Sequence, residues 1–591
     1  MRRALRRCSL PRCGRAGLRA NSAFLRPALP CRILVWIGSL ATIAGILAII
    51  PSAQAATGAT RISVNPDFAD GLNGWSLSGA VRAEPGPGGR GGTVVTIGPG
   101  AGSIRQTVTA NGDNHMLVSV VLHSVPTGAA VVTVRFFDRH GRELMSLRCP
   151  ADIPRGKSPG SFEDYFRPHP LTAAVEISVS KGNTRGTVIV EHAELDQYHD
   201  DDPALQSTQD SAALMRPFWQ GSLVSAEAVL LISNGNGPAT GTLMFPPTRI
   251  LSVTSYDGTV LYHEGVDYTV QGRTLAAVAD SPISQVRDSD LKHGELAWNV
   301  IGGKQILVTY EHGGRWTGPV QPYIGGQLPH TMRLLRQQRP LRIVAYGDSI
   351  TYGIGSSHMD QIPPYQPPWV DLVAAELRRI WNDPEITLYN SSQSGAASDW
   401  ARAMAGRMVA SLHPDLVIVA FGQNDFWRIT PAAFATNISA VLDTVRAADP
   451  HAEFLLVSTT RFDPAYTSDP LYWDRVTQYD ARLRAMTGPG VQLVDMTAIS
   501  GAVFAAKAPR DCLNDPLHPN DYLSRWYAQS MVAALDPESD TAAAPTDRKS
   551  LSDEPRRPHS HEHLRVQRRD FPACNPQIQN RACFPVPAPA A

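Results

Sequence analysis

Cysteine is scarce in this sequence, and the cysteines present form no Cys-x-x-Cys pair. Seven occur among 591 residues, and the four that lie beyond residue 55 are Cys149, Cys512, Cys574 and Cys583. A zinc site of the paired-cysteine kind is therefore not indicated. Four cysteines allow three disulfide connectivities, and the sequence does not choose among them.

An excess of charge of either sign is also missing. Lysine and arginine together number 54, as do aspartate and glutamate, so the net charge is zero. Nine arginines and no acidic residue fall within residues 1–55, which leaves 45 basic and 54 acidic residues in the remainder. The chain beyond residue 55 therefore carries a mild net negative charge, which disfavours binding to a phosphate backbone. We expect no nucleic-acid partner.

A hydrophobic run stands near the N-terminus. Residues 1–32 are rich in arginine, Ile33 to Ile50 are almost all apolar, and Ala53-Gln54-Ala55 follows. A basic region, an apolar region and a small-x-small site predict a signal peptide over residues 1–55, cleaved after Ala55. The apolar run would also suffice for a single membrane anchor. In either case we expect export, to the periplasm or the extracellular space.

Residues 57–200 have an all-β pattern, in which short β-rich runs are separated by Gly, Pro and Asn clusters. Regular short strands with turn signals predict a sandwich or jelly roll. The opening Asn65 to Trp75, NPDFADGLNGW, and the run Ile104-Arg105-Gln106 resemble the galactose-binding-like, carbohydrate-binding modules of secreted glycan enzymes. A spacer sandwich is the alternative, and Trp75 is expected in its core. Two of the predicted strands are Thr93–Ile97 and Ile104–Val108.

A polar, acidic stretch separates this region from the next. Residues 201–212, DDPALQSTQDSA, are typical of a linker. Residues 213–335 again contain short β-rich runs, including a predicted hairpin around the turn signal Asp257-Gly258. We therefore expect a second, smaller β domain over residues 213–335.

From Leu341 onward, predicted strands alternate with helices. The strands are Ile343–Tyr346, Ile386–Tyr389, Leu416–Phe421, Phe454–Thr459 and Val491–Val494. The helices are Val370–Trp381, Asp399–Ser411, Pro431–Ala448, Pro470–Met486 and Tyr522–Leu535. This alternation predicts a parallel sheet covered on both faces, in a domain over residues 340–537. The aperiodic segment 538–591 is expected to be a disordered tail, and its alternating histidines, HSHEH, are expected to be solvated.

Four polar motifs accompany these predicted elements. They are Gly347-Asp348-Ser349 within LRIVAYGDSIT, Asn390–Gly395 (NSSQSG), Gly422–Asp425 (GQND) and Asp515–His518 (DPLH). A buried run that stops at Gly-Asp-Ser predicts a strand ending in a turn, with Ser349 at the edge where open α/β sheets bind ligands. In their order along the chain the four motifs resemble the SGNH hydrolase family, also called GDSL esterases and lipases, from Leu341 to Leu535.

The β patterns of the first two regions and this resemblance together imply a multidomain chain. Two N-terminal all-β domains, each a jelly roll or sandwich, would precede an α/β three-layer SGNH hydrolase domain with a flavodoxin-like parallel sheet. A small β domain ahead of the catalytic domain is also similar to certain polysaccharide-deacetylating SGNH esterases. A serine nucleophile needs a base, and the base needs an orienting group. Asp515 and His518 are three residues apart and supply that pair, so the predicted catalytic residues are Ser349, Asp515 and His518.

The resemblance also implies three oxyanion donors, the backbone N–H groups of Ser349 and Gly395 and the side-chain amide of Asn424. Gly395 and Asn424 each follow a predicted strand, so we expect them at the same sheet edge as Ser349. Asp348 and Asp425 are expected to be structural. No metal and no cofactor is implied, because nucleophile, base and donors are all protein groups.

Three tryptophans and a proline-rich loop lie near the motifs in sequence. Trp369, Trp400 and Trp427 are candidates for an acyl or sugar pocket, and packing in the core is the alternative. The segment Ser356–Pro368 follows the nucleophile turn and is predicted to form one wall of the site.

The predicted function is that of a secreted serine esterase. It would hydrolyse acetyl or short acyl esters through an acyl-serine intermediate, with an acylated polysaccharide or another ester as its substrate and partner. A GDSL-type lipase or lysophospholipase is the alternative within the same chemistry. Two further classes are a binding protein with an inactive esterase domain and an adhesion protein that acts through its β domains.

Overall fold

The computed structural model describes residues 59–86, 92–112, 114–123, 130–151, 160–198, 207, 209–235, 237–293, 301–463, 470–539 and 584–585. The predicted signal peptide, Cys574, Cys583 and the HSHEH histidines lie outside these residues. All described residues belong to one compact unit that spans 55–591. Among them, no helix has both the length and the apolar character that crossing a membrane requires.

An antiparallel sheet contains the strands of the first region. They are β1 (Ala59–Arg61), β2 (Ser76–Pro85), β3 (Thr93–Thr109), β4 (Met116–His123), β5 (Ala130–Phe137), β6 (Glu143–Ala151), β7 (Gly160–Phe166), β8 (Ala174–Lys181) and β9 (Val188–Tyr198). Residues 584–585 form a further short strand on β6. Strand β3 pairs with β9 through its first half and with β8 through its second half. The two strands predicted over 93–97 and 104–108 are therefore one continuous strand.

Alternating apolar side chains of this sheet form a single core, as the period of two in a β-strand requires. Trp75 belongs to that core, where its ring lies 5.4 Å from the ring of Phe68. The indole N–H donates to the backbone oxygen of Asn65. The side chain of Gln106 exchanges hydrogen bonds of 2.6 and 2.8 Å with the backbone of Val64, which fastens the opening loop to β3.

Two smaller sheets follow. The first has the order β10 (Leu223–Val229), β18 (Ile306–His312), β13 (Pro247–Ser255) and β14 (Leu261–Tyr262). The second has the order β15 (Tyr268–Gln271), β16 (Thr274–Ala277), β12 (Thr240–Thr242), β11 (Ile232–Ser233) and β17 (Val286–Arg287). Helices α1 (Ser211–Leu214) and α2 (Asp288–His293) flank these strands, and α1 begins inside the predicted linker. The predicted hairpin is present, because β13 and β14 pair antiparallel around Gly258, whose φ is +71°.

The last region contains a parallel five-stranded sheet. Its order is β20 (Ile386–Asn390), β19 (Leu341–Gly347), β21 (Leu416–Ala420), β22 (Glu453–Val457) and β23 (Val491–Val494). Its helices are α3 (Pro329–Arg336), α4 (Ser349–Tyr352), α5 (Trp369–Trp381), α6 (Ser398–Met408), α7 (Pro431–Ala448), α8 (Pro470–Arg484), α9 (Met496–Ala506) and α10 (Asp521–Leu535).

Both faces of this sheet are covered. Val417 and Val419 belong to the same apolar cluster as residues of α6, α7 and α8. Leu416 and Ile418 belong to a different cluster, with residues of α5, α9 and α10. The parallel sheet predicted from the alternation of strands and helices is thus present, and its strands form continuous hydrophobic runs because they are buried on both faces.

Helix α9 was not among the predicted helices. It begins directly after β23, and Asp495 caps it by accepting from the backbone N–H of Ala498 at 2.8 Å. Its sequence, MTAISGAVFAA, is almost uniformly apolar or small, so it lacks the polar face that reveals an amphipathic helix.

Candidate active site

The nucleophile turn follows β19, an interior strand that lies between β20 and β21 in the sheet. Strand β19 ends at Gly347, the carboxylate of Asp348 accepts from the backbone N–H of Ile350 at 3.1 Å, and α4 begins at Ser349. A Cβ added at Gly347 would lie 2.6 Å from the backbone oxygen of Ala420, so only glycine fits against the neighbouring strand. The turn thus presents Ser349 at the carboxyl end of the sheet.

The structure brings the three predicted catalytic residues together. Nε2 of His518 lies 2.9 Å from Oγ of Ser349, and Nδ1 of His518 lies 2.7 Å from Oδ2 of Asp515. The second oxygen of Asp515 accepts from the backbone N–H groups of Leu517 and His518, at 2.7 and 2.8 Å. Hydrogen bonds to both carboxylate oxygens fix the orientation of Asp515 and, through it, that of the imidazole.

The charges around His518 favour its protonated form. Burial opposes a charged imidazole, but the carboxylates of Asp515, Asp348 and Asp360 outweigh it and raise the pKa of His518. Burial likewise opposes a charged Asp515, and the contact with His518 outweighs it and lowers the pKa of that carboxyl. The pair is thus suited to accept a proton from a hydroxyl at the imidazole.

The second and third motifs lie beside the nucleophile turn. The backbone N–H of Gln393 donates to the oxygen of Gly347 at 3.0 Å, and the side chain of Asn424 donates to the oxygen of Ala396 at 3.0 Å. Asn424 is therefore adjacent to the segment that carries Gly395, whose φ of +73° suits glycine. A side-chain amide has two N–H donors, so one hydrogen bond to Ala396 leaves a second donor.

Asp348 and Asp425 hold loop backbone in place. Asp348 accepts from Ile350 and, at 3.4 Å, from the backbone N–H of Gln423, while Asp425 accepts from the backbone N–H of Ser398 at 3.0 Å. Burial raises the pKa of Asp348 to about 7 and that of Asp425 to about 6. Asp348 thus connects the first motif to the third, and Asp425 connects the third motif to the start of α6, three residues after the second motif.

Gly355, directly before the proline-rich loop, and Asp360 within that loop lie against the turn that carries the imidazole. A Cβ added at Gly355 would lie 3.2 Å from the Cβ of His518 and 2.4 Å from the backbone oxygen of Pro519. Asp360 accepts from the side chain of Asn514 at 2.7 Å, and burial raises the pKa of Asp360 to about 7. Sequence reasoning did not single out Asp360 or Asn514, since neither stands at the end of a predicted strand.

The three tryptophans have different environments. Trp369 is buried, and its indole N–H donates to the oxygen of Ile350 at 3.0 Å. Trp400 is also buried, with its ring 5.6 Å from that of Tyr346. Trp427 is 64% exposed and lies three residues after Asn424. Packing thus accounts for the first two, and only the third presents its ring to solvent.

Neither a disulfide nor a metal cluster accompanies the site in the part of the chain that the structure describes. Cys512 is free and buried, and burial raises the pKa of its thiol. Among the described residues, no group of three or more His, Cys, Asp or Glu residues is arranged to hold a metal ion.

The sequence of this region matches a known family. Residues 345–525 match the GDSL-like Lipase/Acylhydrolase family, and this range contains all four motifs. Residues 345–525 are therefore a GDSL-like acylhydrolase domain, preceded by a sheet-rich region. The match covers less than a third of the 591 residues. No curated protein matches the chain.

Several solved structures are similar over part of the chain. A putative GDSL-like lipase from Parabacteroides merdae is 19% identical, with 33% of this chain and 95% of that chain covered and a TM-score of 0.28. An Axe2 mutant, from an acetyl-xylooligosaccharide esterase of Geobacillus Stearmophilus, is 20% identical, with 33% and 94% covered and a TM-score of 0.29.

A third structure, the enzymatically active domain of tailspike protein 4 of bacteriophage CBA120, is 16% identical with a TM-score of 0.20. Its match covers 23% of this chain and only 21% of the tailspike chain. With TM-scores this low, the three structures do not indicate a substrate for this chain.

Proposed function

We propose that this chain is an exported serine esterase that removes acetyl or other short acyl groups from a polysaccharide through an acyl-serine intermediate. The observation that carries the proposal is the series of hydrogen bonds from Ser349 to His518 and from His518 to Asp515, at 2.9 and 2.7 Å. In this account these three residues are catalytic. The oxyanion donors are the backbone N–H groups of Ser349 and Gly395 and the side chain of Asn424.

The first half-reaction transfers the acyl group to serine. Nε2 of His518 takes the hydroxyl proton while Oγ of Ser349 bonds to the ester carbonyl carbon. The carbonyl oxygen becomes an oxyanion, and each of its donors contributes about 3–4 kcal/mol to the transition state. His518 then gives its proton to the leaving alkoxide as the ester C–O bond breaks, which leaves an acyl ester on Ser349.

The second half-reaction releases the acid. His518 takes a proton from water, whose oxygen bonds to the acyl carbon, and the imidazolium returns that proton to Oγ as the acyl–serine bond breaks. Asp515 stays ionised throughout, because the adjacent imidazole lowers the pKa of its carboxyl against the opposing effect of burial. Its role is to hold the tautomer of His518 with the proton on Nδ1.

Kinetics of single substitutions test this assignment. Ser349→Ala is expected to lower kcat for p-nitrophenyl acetate by about 10⁶-fold. Asp515→Asn keeps the shape but reverses the tautomer, and it should cost about 10⁴-fold. Ser411→Ala, a change at a half-buried serine whose hydroxyl bonds only back to the oxygen of Arg407, is the control and should leave kcat unchanged. Wild-type turnover by Ser349→Ala would remove the proposal.

Acyl-chain length separates the proposal from the lipase alternative. We expect kcat/KM for p-nitrophenyl acetate to exceed that for p-nitrophenyl octanoate. A strong preference for octanoate or longer esters would instead support a GDSL-type lipase or lysophospholipase.

The ring of Trp427 is 64% exposed, packs against the ring of Phe426 at 4.0 Å, and follows the proposed oxyanion donor Asn424 by three residues. It supports a sugar substrate, because an exposed aromatic ring can stack on a pyranose ring. Trp427→Ala is expected to raise KM for an acetylated oligosaccharide and to leave KM for p-nitrophenyl acetate unchanged. A panel of acetylated xylan, pectin and peptidoglycan identifies the polymer. Equal KM changes for the sugar and the simple ester would remove Trp427 from substrate binding.

We further propose that residues 57–200 bind glycan and that residues 1–55 direct export. The composition of the N-terminal segment and the glycan-module motifs in the sequence support these two proposals. N-terminal sequencing of the exported protein should give Ala56 as the first residue, and retention of residues 1–55 would indicate an anchor. Binding of the Ser349→Ala chain to insoluble polysaccharide tests the glycan role, and failure to bind would leave the region as a spacer.

A further inference from the structure

The proposed base lies on a closed turn outside the regular helices and sheet strands. The backbone N–H of Asn514 donates to the oxygen of His518 at 2.8 Å, and Leu513 and Pro519 form an isolated antiparallel bridge. Asp515 and His518 move together with this turn, because both lie within it. The distance from His518 to Ser349 therefore depends on whatever holds the two ends of the turn.

Residues 301–305, directly before β18, hold the first end of the turn. The backbone N–H of Ile301 donates to the backbone oxygen of Asn514 at 2.7 Å. The backbone N–H of Gly302 donates to the side-chain oxygen of the same asparagine at 2.9 Å. Two successive backbone donors thus fix both the main chain and the side chain of Asn514, the residue before Asp515.

The side chain of Gln305 is hydrogen-bonded to both ends of the turn. Its amide nitrogen donates to the backbone oxygens of Arg510 and Leu513, at 2.7 and 3.0 Å. Its amide oxygen accepts from the side chain of Asn520 at 2.9 Å. Gln305, Leu513 and Asn520 are all buried, so water cannot replace these hydrogen bonds when one partner is removed.

Asn514 also connects this contact to the loop after the nucleophile. Its side-chain nitrogen donates to Asp360 at 2.7 Å, while its side-chain oxygen accepts from Gly302. The amide of Asn514 is thus held from two sides, by residues of the small β region and by the proline-rich loop. A shift of Gly302 would be transmitted through Asn514 to the turn that carries His518 and to the proline-rich loop.

We propose that residues 301–305 are a positioning segment for the base, with Gly302 and Gln305 as its positioning residues. The segment sets the distance from His518 to Ser349 through Asn514 and through the two ends of the turn. This inference rests on the proposed function. On this proposal, the small β region before the α/β domain contributes to the active site by positioning its base.

Two adjacent glycines provide a matched test in the full-length chain. A Cβ added at Gly302 would lie 2.4 Å from the side-chain oxygen of Asn514, whereas a Cβ added at Gly303 meets nothing within 4 Å. We expect Gly302→Ala to lower kcat for p-nitrophenyl acetate by about 100-fold, because a base displaced by about 1 Å costs that much. KM should change less than twofold, and Gly303→Ala should behave as wild type.

A double-mutant cycle tests the route through Asn514. In an Asn514→Ala background the clashing atom is gone, so Gly302→Ala should cost no further activity. Gln305→Met, which keeps the volume but removes three hydrogen bonds, provides an independent variant and should also lower kcat with little change in KM. Activity is measured per folded molecule, well below the unfolding transition of each variant.

Three results would overturn the positioning role. The first is a kcat of Gly302→Ala within threefold of that of Gly303→Ala. The second is a loss of kcat from Gly302→Ala that is as large in the Asn514→Ala background as in the wild type. The third is a loss of kcat that disappears after correction for unfolded protein. Ser349→Ala separates this inference from the proposed function. Activity that survives Ser349→Ala removes the serine mechanism, whereas a dead Ser349→Ala beside a fully active Gly302→Ala removes only the positioning segment.

Discussion

At the residue scale, the proposed base is surrounded by carboxylates that differ in what they do. Asp515 contacts the imidazole directly, whereas Asp348 and Asp360 act on it through their charge alone. Burial raises the pKa of Asp348 and of Asp360 to about 7 each, so their charges develop in the same pH range in which the imidazole must lose its proton. The pH dependence of the reaction therefore reports on this group of residues together.

The first prediction concerns that pH dependence. Only neutral His518 can accept the hydroxyl proton, so kcat/KM should rise with pH through a pKa above the ordinary histidine value of 6.5. Asp360→Asn removes a negative charge that favours the imidazolium, and it should move the acidic limb to lower pH. Asp443→Asn, at an exposed carboxylate on α7, is the control. An acidic limb that stays in place or moves to higher pH in Asp360→Asn would contradict this electrostatic account.

At the scale of single elements, the ends of strands and the starts of helices position the chemistry. Ser349, Gly395 and Asn424 follow β19, β20 and β21, which are neighbours in the sheet. Helix starts are fixed in turn by side chains such as Thr430, which accepts from the backbone N–H of Ala433 at 3.3 Å with Pro431 in the first turn. These local signals are short, so they could be read from sequence.

The second prediction uses that cap. Thr430→Ala removes the acceptor for an N-terminal N–H of α7 and should lower the free energy of unfolding by about 1 kcal/mol, measured by urea denaturation. Thr436→Ala in the exposed middle of the same helix is the control, and it should have little effect because its hydroxyl only bonds back to the oxygen of Ala432. Equal losses for the two variants would contradict the capping role of Thr430.

The sequence predicted the elements of the α/β region better than the environment of individual side chains. Ser349, Asp515 and His518 stand in short motifs, and the structure brings them together as the motifs indicated. Burial of Trp400 and exposure of Trp427 depend on tertiary packing, which no local pattern encodes. Their different environments could therefore not have been predicted from sequence.

At the scale of the whole molecule, the small β region and the α/β region share buried contacts. Lys507 and Glu227 form a fully buried ion pair at 2.5 Å. Glu227 also accepts from the hydroxyl of Tyr310 at 2.6 Å. The contact between Gln305 and Leu513 joins residues 208 positions apart. Such pairings could not be predicted from sequence, because neither partner belongs to a motif and each looks like an ordinary polar residue.

The third prediction tests this connection. Lys507→Met leaves the charge of Glu227 buried without its partner and should lower the free energy of unfolding by about 3–5 kcal/mol. Lys507→Met combined with Glu227→Gln removes both charges and keeps the amide oxygen for the surrounding donors, so it should recover most of that loss. Thermal unfolding of the single and the double variant measures the loss of stability and its recovery. A single variant as stable as wild type would show that the pair does not couple the regions.

The most direct test of the central claim is intact and peptide mass spectrometry of the protein quenched in acid during turnover of p-nitrophenyl acetate. The account predicts an acetyl group on the peptide that contains Ser349, and its absence in Ser349→Ala. Because acylation and deacylation both need a neutral His518, it also predicts that formation of the adduct slows at low pH along with kcat/KM. Full turnover with no acetyl group on that peptide at any pH, or an adduct that persists in Ser349→Ala, would contradict the account.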